Sequence, residues 1–347
     1  MIRVVFLISY LFISLPAFSQ GHFTIKHRKG DVDLVFPLFS RESDSTIPRK
    51  INEFLCLSEL EVLPQPGKNI FEEITRDDAM GGLYGKKVIM HDTIYTNSSR
   101  VLSLEIYNAA SGMTSHYWSD FYTFNSQNGD RIDLQDLFTI SGWKQFKKLS
   151  RKKRIKAFAP IRKQWAFSKE EELYHSYLDD DFDSYYIVDS AVYHNGINLF
   201  PKGMAEDLIT KFSYSEVAAM LNSYGTAILG QATDSLKYFR SNQRPQLMKG
   251  MIGDKYPITF ILAKGFISDA KDYAEISAIY AYDKYGKGVA LDIGFPKNNQ
   301  VTMEEFHNDK NTDTCEVSFS FTQTSVKGFW INKSKNKKLS LWAKKED

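Results

Sequence analysis

Alternating and helical-period stretches divide the chain into two unlike halves. Near the start, His22–Arg28 and Val32–Phe39 alternate apolar and polar residues across Lys29-Gly30-Asp31, which predicts a pair of strands. From Pro48 to Leu60 the spacing changes: Ile51, Phe54 and Leu55 share one helical face, with proline in the first turn. Strands are predicted next at Lys86–Tyr95, Arg100–Asn108 and Tyr117–Phe124. In the second of these, Leu102, Leu104 and Ile106 face one way and Ser103, Glu105 and Tyr107 the other. Asn128-Gly129 supplies the turn after Phe124, because glycine accepts positive φ.

Helical spacing returns over Ser141–Phe158 and Ile161–Leu178, with a break expected at Pro160, which cannot donate a helical hydrogen bond. A hairpin is predicted from Ser184–Val188 and Ala191–Leu199, its turn at either Asp189-Ser190 or Asn195-Gly196. Ser213-Tyr214-Ser215-Glu216 is a capping box for a helix whose apolar face is Val217, Met220 and Leu221, and Gly225 can end it. Residues 226–246, richer in Ser, Gln, Asn and Arg, then read as a linker between units at 20–225 and 247–347.

In the second unit every strong pattern has period two: Ile258/Phe260/Leu262, Ile276/Ala278/Tyr280/Tyr282, Val289/Leu291/Ile293, Val317/Phe319/Phe321 and Leu339/Leu341. Turns at Asp283–Lys287 and Pro296–Asn299 give the spacing of an antiparallel meander. The fold class is therefore an α+β domain, an antiparallel sheet with packed helices, followed by an all-β antiparallel barrel or half-barrel, since closure removes unpaired edges.

The first 19 residues lie outside both units. Arg3 precedes an almost wholly apolar run from Val4 to Leu15, and Pro16-Ala17-Phe18-Ser19 places small residues where a signal peptidase reads, near Ser19-Gln20. A span of the bilayer needs roughly 20 apolar residues, so this run reads as a cleavable secretory signal. No cysteine follows it for lipid attachment, and the remaining sequence has no second apolar stretch of spanning length. The expectation is a periplasmic or secreted protein that is not a lipoprotein.

The formal net charge of +2 drops by one when Arg3 is removed, which gives no reason to expect nucleic acid as a partner. Aromatics make up 14% of the chain and favour sheet. Cys56 and Cys315 fall in different units, one on an apolar helix and one at the start of an alternating strand, so two buried free thiols are expected rather than a disulfide.

Candidate chemistry is sparse. None of the seven histidines forms a His-Glu-x-x-His pair, and there is no Gly-x-Ser-x-Gly elbow. Gly81–Lys87 has only three residues between Gly81 and Gly85, and Lys87 stands where a phosphate loop needs Ser or Thr. Asp179, Asp181 and Asp183 open like a calcium loop, but Ser184 replaces the glycine and Ser190 the bidentate glutamate. The basic run Lys147–Lys156 reads as a solvated helix face, with an anion-binding patch as the alternative. No catalytic, cofactor or metal residue is assigned. Tyr117, Trp118, Phe121 and Tyr122 are the densest aromatic cluster, with about half expected in the core, because strand side chains alternate between faces. Tyr117, Trp118 and Tyr122 are the candidates to stack on a sugar or anchor a protein.

Val101–Phe138, "VLSLEIYNAASGMTSHYWSDFYTFNSQNGDRIDLQDLF", resembles the strand, small-residue loop, strand, hairpin and L-x-D-L-F core of a paired module of uncharacterised domains. Tyr185–Pro201 and the "YSEV" helix entry within Phe212–Leu221 are similar to later parts of that module, so the resemblance covers about residues 45–225. The pair forms the extracellular lysozyme-sensing part of certain anti-sigma factors and precedes the catalytic domain of some peptidoglycan deacetylases. This chain lacks the former's membrane helix and the latter's His-x-x-x-His motif. The resemblance implies the module and its envelope setting, not an activity. Residues after 246 look like strand-rich domains of exported Bacteroidetes-type proteins. The resulting expectation is a non-enzymatic binding module for cell-wall glycan or a lysozyme-like protein. The alternatives are an envelope hydrolase whose acid–base carboxylates are dispersed in sequence, or an assembly scaffold; oligomeric state stays open.

Overall fold

The computed structural model describes residues 22–30, 33–72, 86–111, 115–164, 184–196, 208–230, 246–267, 274–305, 315–322 and 324–346. The leader, Gly81–Gly85, the Asp179/Asp181/Asp183 run, most of the predicted Ile161–Leu178 helix and residues 231–245 of the linker lie outside them. The first sheet runs in order β1 (Thr24–Lys29), β2 (Asp33–Ser40), β3 (Lys86–Asn97), β4 (Val101–Ser111) and β5 (Ser115–Asn125). All neighbours are antiparallel except β2 and β3. Gly129 takes φ +73° in the predicted turn after β5.

Helix α1 (Thr46–Leu60) packs on the face that presents Leu102, Leu104 and Ile106. Its apolar residues extend nearly all round: Ile51, Phe54, Leu55, Cys56, Leu57 and Leu60 are all buried. A helix apolar on every side must be covered on every side. The second cover is the C-terminal sheet, which sends Leu247, Ile261 and Ala281 into the same core. Polar contacts reinforce this junction. Lys50, almost fully buried, donates to the Glu346 carbonyl at 2.9 Å and lies 3.5 Å from Asp130, which also pairs with Lys345 at 2.7 Å.

On the other face of the first sheet lies a three-stranded sheet, β6 (Tyr185–Val188), β7 (Ala191–Asn195) and β8 (Ile209–Phe212). Tyr186 stacks on Tyr95 with centroids 3.8 Å apart, and the Ile187 N–H donates to Ser103 Oγ at 3.0 Å. The hairpin turn is Asp189-Ser190, both residues at positive φ. Helix α2 (Ile140–Gln164) runs through Pro160 instead of breaking there. Pro160 is exposed near the helix end, so water can satisfy the carbonyl that loses its partner. The capping box at Ser213 is present but opens a single turn, α3 (Tyr214–Val217). A 3-10 turn follows, Leu221 then bridges to Phe138, and a new helix α4 (Ser223–Gly230) begins. Gly225 therefore sits inside a helix and does not end one. A Cβ there would lie 2.0 Å from the Leu137 carbonyl oxygen, so close packing requires the glycine. Residues 226–230, assigned to the linker by composition, complete α4.

The C-terminal unit is one eight-stranded antiparallel sheet, ordered β12 (Gly288–Gly294), β11 (Ala274–Tyr282), β10 (Tyr256–Ile267), β9 (Gln246–Ile252), β16 (Lys337–Lys345), β15 (Ser325–Asn332), β14 (Cys315–Phe321) and β13 (Gln300–Glu304). Its two ends meet at a Leu291–Glu305 bridge, so the sheet curls into a nearly closed barrel. The period-two residues fill the interior, among them Ile258, Phe260, Tyr280, Val317 and Leu341. Among the described residues the outer face is half covered: α1 lies over β9–β11, while the outward side chains Lys327, Phe329, Lys338 and Trp342 of β15 and β16 are exposed. The architecture is thus α+β followed by all-β, as the patterning predicts.

Candidate acid–base centre

Along β4 the positions facing α1 run Leu102, Leu104, Ile106 and then Asn108. Along β5 the same alternation gives Phe124, Tyr122, Asp120 and Trp118. The apolar stripe turns polar where α1 ends. Ile106 pairs with Asp120 and Asn108 with Trp118, so the polar side chains are strand neighbours. Glu59, in the last turn of α1, is brought onto them, and Lys87 enters from β3 opposite Ala110. The chain leaves α1 through Glu61 at φ 53°, whose carbonyl accepts the Gly288 N–H at 2.6 Å. The barrel turn carrying Lys287 is thereby docked beside the cluster.

Glu59 accepts from three side chains: Tyr122 Oη on Oε1 at 2.5 Å, and Asn108 Nδ2 and Lys87 Nζ on Oε2 at 3.3 and 3.4 Å. Lys87 also donates to the Glu59 carbonyl at 3.2 Å and lies 5.4 Å from the centroid of the Trp118 ring. Asn108 Nδ2 reaches Asp120 Oδ2 at 3.1 Å, so one amide spans both carboxyl groups. The Glu59 and Lys87 side chains are only 3% and 8% exposed.

Two carboxyl groups against one ammonium leave excess negative charge in a dry site, which favours retaining a proton. Burial first, then the charge of Glu59, pushes the Asp120 carboxyl well above the usual carboxylate range; Lys87 pulls the other way. Asp120 is hydrogen-bonded to Glu59, and the raised carboxyl favours a proton retained within the pair. Burial also raises Glu61, opposed by Lys87 and Lys287. Tyr122 is raised by burial and by both carboxyls, so it remains a hydroxyl donor. A protonated carboxyl beside a carboxylate is the minimum equipment for acid–base chemistry. The same contacts also tie α1 to β3, β4 and β5. Among the described residues, no group of three or more His, Cys, Asp or Glu side chains is arranged to hold a metal ion.

No family model and no curated protein matches the chain. Among solved structures, it is similar to the crystal structure of a member of the DUF3298 family from Bacteroides fragilis, at 13% identity with a TM-score of 0.41. The match covers 60% of this chain and 96% of that one. It is a distant likeness, and it carries nothing about anti-sigma factors, deacetylases, ligand or activity.

The three aromatic candidates separate. Tyr122 is buried and spends its hydroxyl on Glu59. Trp118 is half-buried beneath the Lys87 ammonium. Tyr117 points to the opposite face, half-buried, and stacks on Tyr107 at 6.4 Å. In the basic run, Lys147, Lys148, Arg151, Lys152 and Lys156 are exposed as a wet helix face. Arg154 is an exception, wholly buried on the stripe of Phe146, Ser150 and Phe158. Cys56 and Cys315 are buried thiols that form no disulfide, and Cys315 Sγ accepts from Asn332 Nδ2 at 3.3 Å. Glu59, Asn108 and Asp120 belong to no sequence motif, and Lys87 stands out in the sequence only as the residue that spoils the Gly81–Lys87 phosphate-loop spacing. Their signal was available in part: Asn108 and Asp120 interrupt an otherwise apolar face of each strand. No helix among the described residues is long and apolar enough to cross a membrane.

Proposed function

We propose that this chain is an exported, non-enzymatic binding module of the bacterial envelope, periplasmic or secreted after cleavage near Ser19-Gln20, and that it binds cell-wall glycan. The leader pattern and the resemblance over residues 45–225 motivate the envelope setting. The observation that carries the binding role is the bare half of the barrel's outer face, where Phe329 and Trp342 are 45% and 42% exposed on neighbouring strands. Lone exposed aromatics are ordinary, whereas paired ones on one sheet face favour a stacking partner. The test is retention of the mature protein on purified peptidoglycan, with immobilised lysozyme in parallel. Retention on peptidoglycan supports the reading; retention on lysozyme alone replaces glycan with protein, and retention on neither rejects it.

A hydrolase reading has one observation in its favour, the buried pair of carboxyls Asp120 and Glu59, of which Asp120 is raised by burial and by the charge of Glu59. Against it, Glu59 and Lys87 are closed in and saturate one another. Release of labelled peptidoglycan fragments that disappears in Asp120→Asn would establish it.

A further inference from the structure

We infer that the outward face of β14–β16 is the ligand-contact surface and that its ligand class is an acidic polysaccharide; this rests on the binding-module reading and names the site and chemistry it leaves open. Strand register builds the surface. Trp342 lies between Lys327 on β15 and Met251 on β9, and in the adjacent row Phe329 lies between Ser318 and Ser340. Trp342 and Phe329 are diagonal neighbours, with backbones about 7–8 Å apart. Each ring is thus flanked by hydroxyl or ammonium groups, the mixture that a sugar needs: an apolar ring face to stack on and donors for its hydroxyls and carboxylates.

Charge selects the ligand. Seven lysines and no acidic residue lie between Ser325 and Lys345. Lys327, Lys338 and Lys344 occupy outward positions, and Lys338 Nζ sits 4.0 Å from the Phe329 ring centroid. That cation covers Phe329, so Trp342 offers the open ring and Lys338 stands ready for a carboxylate. Of the acidic groups on this face among the described residues, Glu316 is already paired with Lys333, and Glu304, opposite it on β13, lies at the rim. The net field over the rings is positive and complements a polyanion. An anionic membrane shares that charge but calls for apolar tips that project into it. Phe329 and Trp342 instead sit mid-strand among serines, which favours a glycan strand laid across the sheet.

The experiment is affinity electrophoresis of the mature protein in gels holding polygalacturonate or neutral dextran, with phosphatidylglycerol vesicle sedimentation and peptidoglycan retention in parallel. The parent should be retarded by polygalacturonate and not by dextran. Trp342→Ala and the double variant K327A/K338A should each weaken that binding about tenfold, the effect of losing one anchoring side chain. K327A/K338A should melt with the parent, while Trp342→Ala, which gives up the packed part of a side chain 42% exposed, should melt somewhat lower with its cooperative transition intact. Equal binding by parent and variants, equal retardation by dextran, or binding to vesicles alone would overturn the assignment. If parent and variants are retained equally on peptidoglycan, the module reading stands and this face is wrong. If the parent is retained on neither peptidoglycan nor polygalacturonate, both fail.

Discussion

Removing the Lys87 ammonium should expose the electrostatic balance of the buried centre. In Lys87→Met the stem is replaced by a side chain of similar length, while Glu59 stays in place with 3% of its side chain exposed. Breaking a buried ion pair by removing one partner costs about 3–5 kcal/mol. Glu59 keeps its bonds from Tyr122 at 2.5 Å and Asn108 at 3.3 Å, and the lost contact was long at 3.4 Å. The low end applies, about 3 kcal/mol, or roughly 6 °C in Tm for a chain of this size. Adding Glu59→Gln should recover part of the loss, because the stranded charge goes with it.

The pH dependence carries the sharper signature. Asp120 has a native pKa above its unfolded value near 3.9, so its stabilising contribution is complete below about pH 4 and declines as pH rises through the raised value. Lys87 opposes that rise, and without it the native pKa moves higher still. The deficit of the variant should therefore be smallest in acid and widen as pH rises through the range in which Asp120 ionises in the parent. Urea unfolding of parent and variant across that range measures it. A deficit under about 0.5 kcal/mol at pH 7, within the range of ordinary surface substitutions, would refute the reasoning. So would a deficit that does not change with pH.

Three further outcomes are expected. Asp130→Ala takes the Asp130 charge away from the Lys50 ammonium, which is almost fully buried at the junction and keeps the Glu346 carbonyl, and should cost about 3 kcal/mol in urea unfolding; a neutral result would show that Asp130 does not hold α1 to the barrel. Cys56 and Cys315 should resist Ellman's reagent in the native protein and both react in denaturant, since both thiols are buried and burial holds Cys56 protonated; rapid native labelling of either would contradict this. Gly225→Ala forces a Cβ to within 2.0 Å of the Leu137 carbonyl oxygen and should destabilise by about 1–3 kcal/mol; an unchanged unfolding midpoint would show that α4 can shift freely.

Much of the fold was legible because period-two patterning and burial coincide. The interior set Ile258/Phe260/Leu262 is the barrel core, and Leu102/Leu104/Ile106 is the face beneath α1. Strands β13 and β15 were not singled out, because β13 is short and Gly328 breaks the bulk of β15's inward face. Gly328 has its own reason: a Cβ there would meet the Ser318 carbonyl oxygen at 2.0 Å. Pro160 shows propensity overridden where a helix end is exposed. The acid–base centre was only half legible. Asn108 and Asp120 broke the alternation visibly, but Glu59 and Lys87 join them through the docking of α1 and the pairing of β3 with β4. The aromatic candidates show the same limit: density along one strand does not say which rings face water, so Tyr122 turns inward while Tyr117 and Trp118 stay half-buried, and the exposed Phe329 and Trp342 stand thirteen residues apart on paired strands.

The most direct test of glycan binding through the barrel face is the indole N–H spectrum of the mature protein during titration with soluble peptidoglycan fragments. The chain has five tryptophans, with Trp342 on the exposed face and Trp118 at the buried centre. The Trp342 resonance should move saturably while that of Trp118 stays in place. A spectrum in which Trp342 does not respond, or in which Trp118 alone moves, would contradict the account.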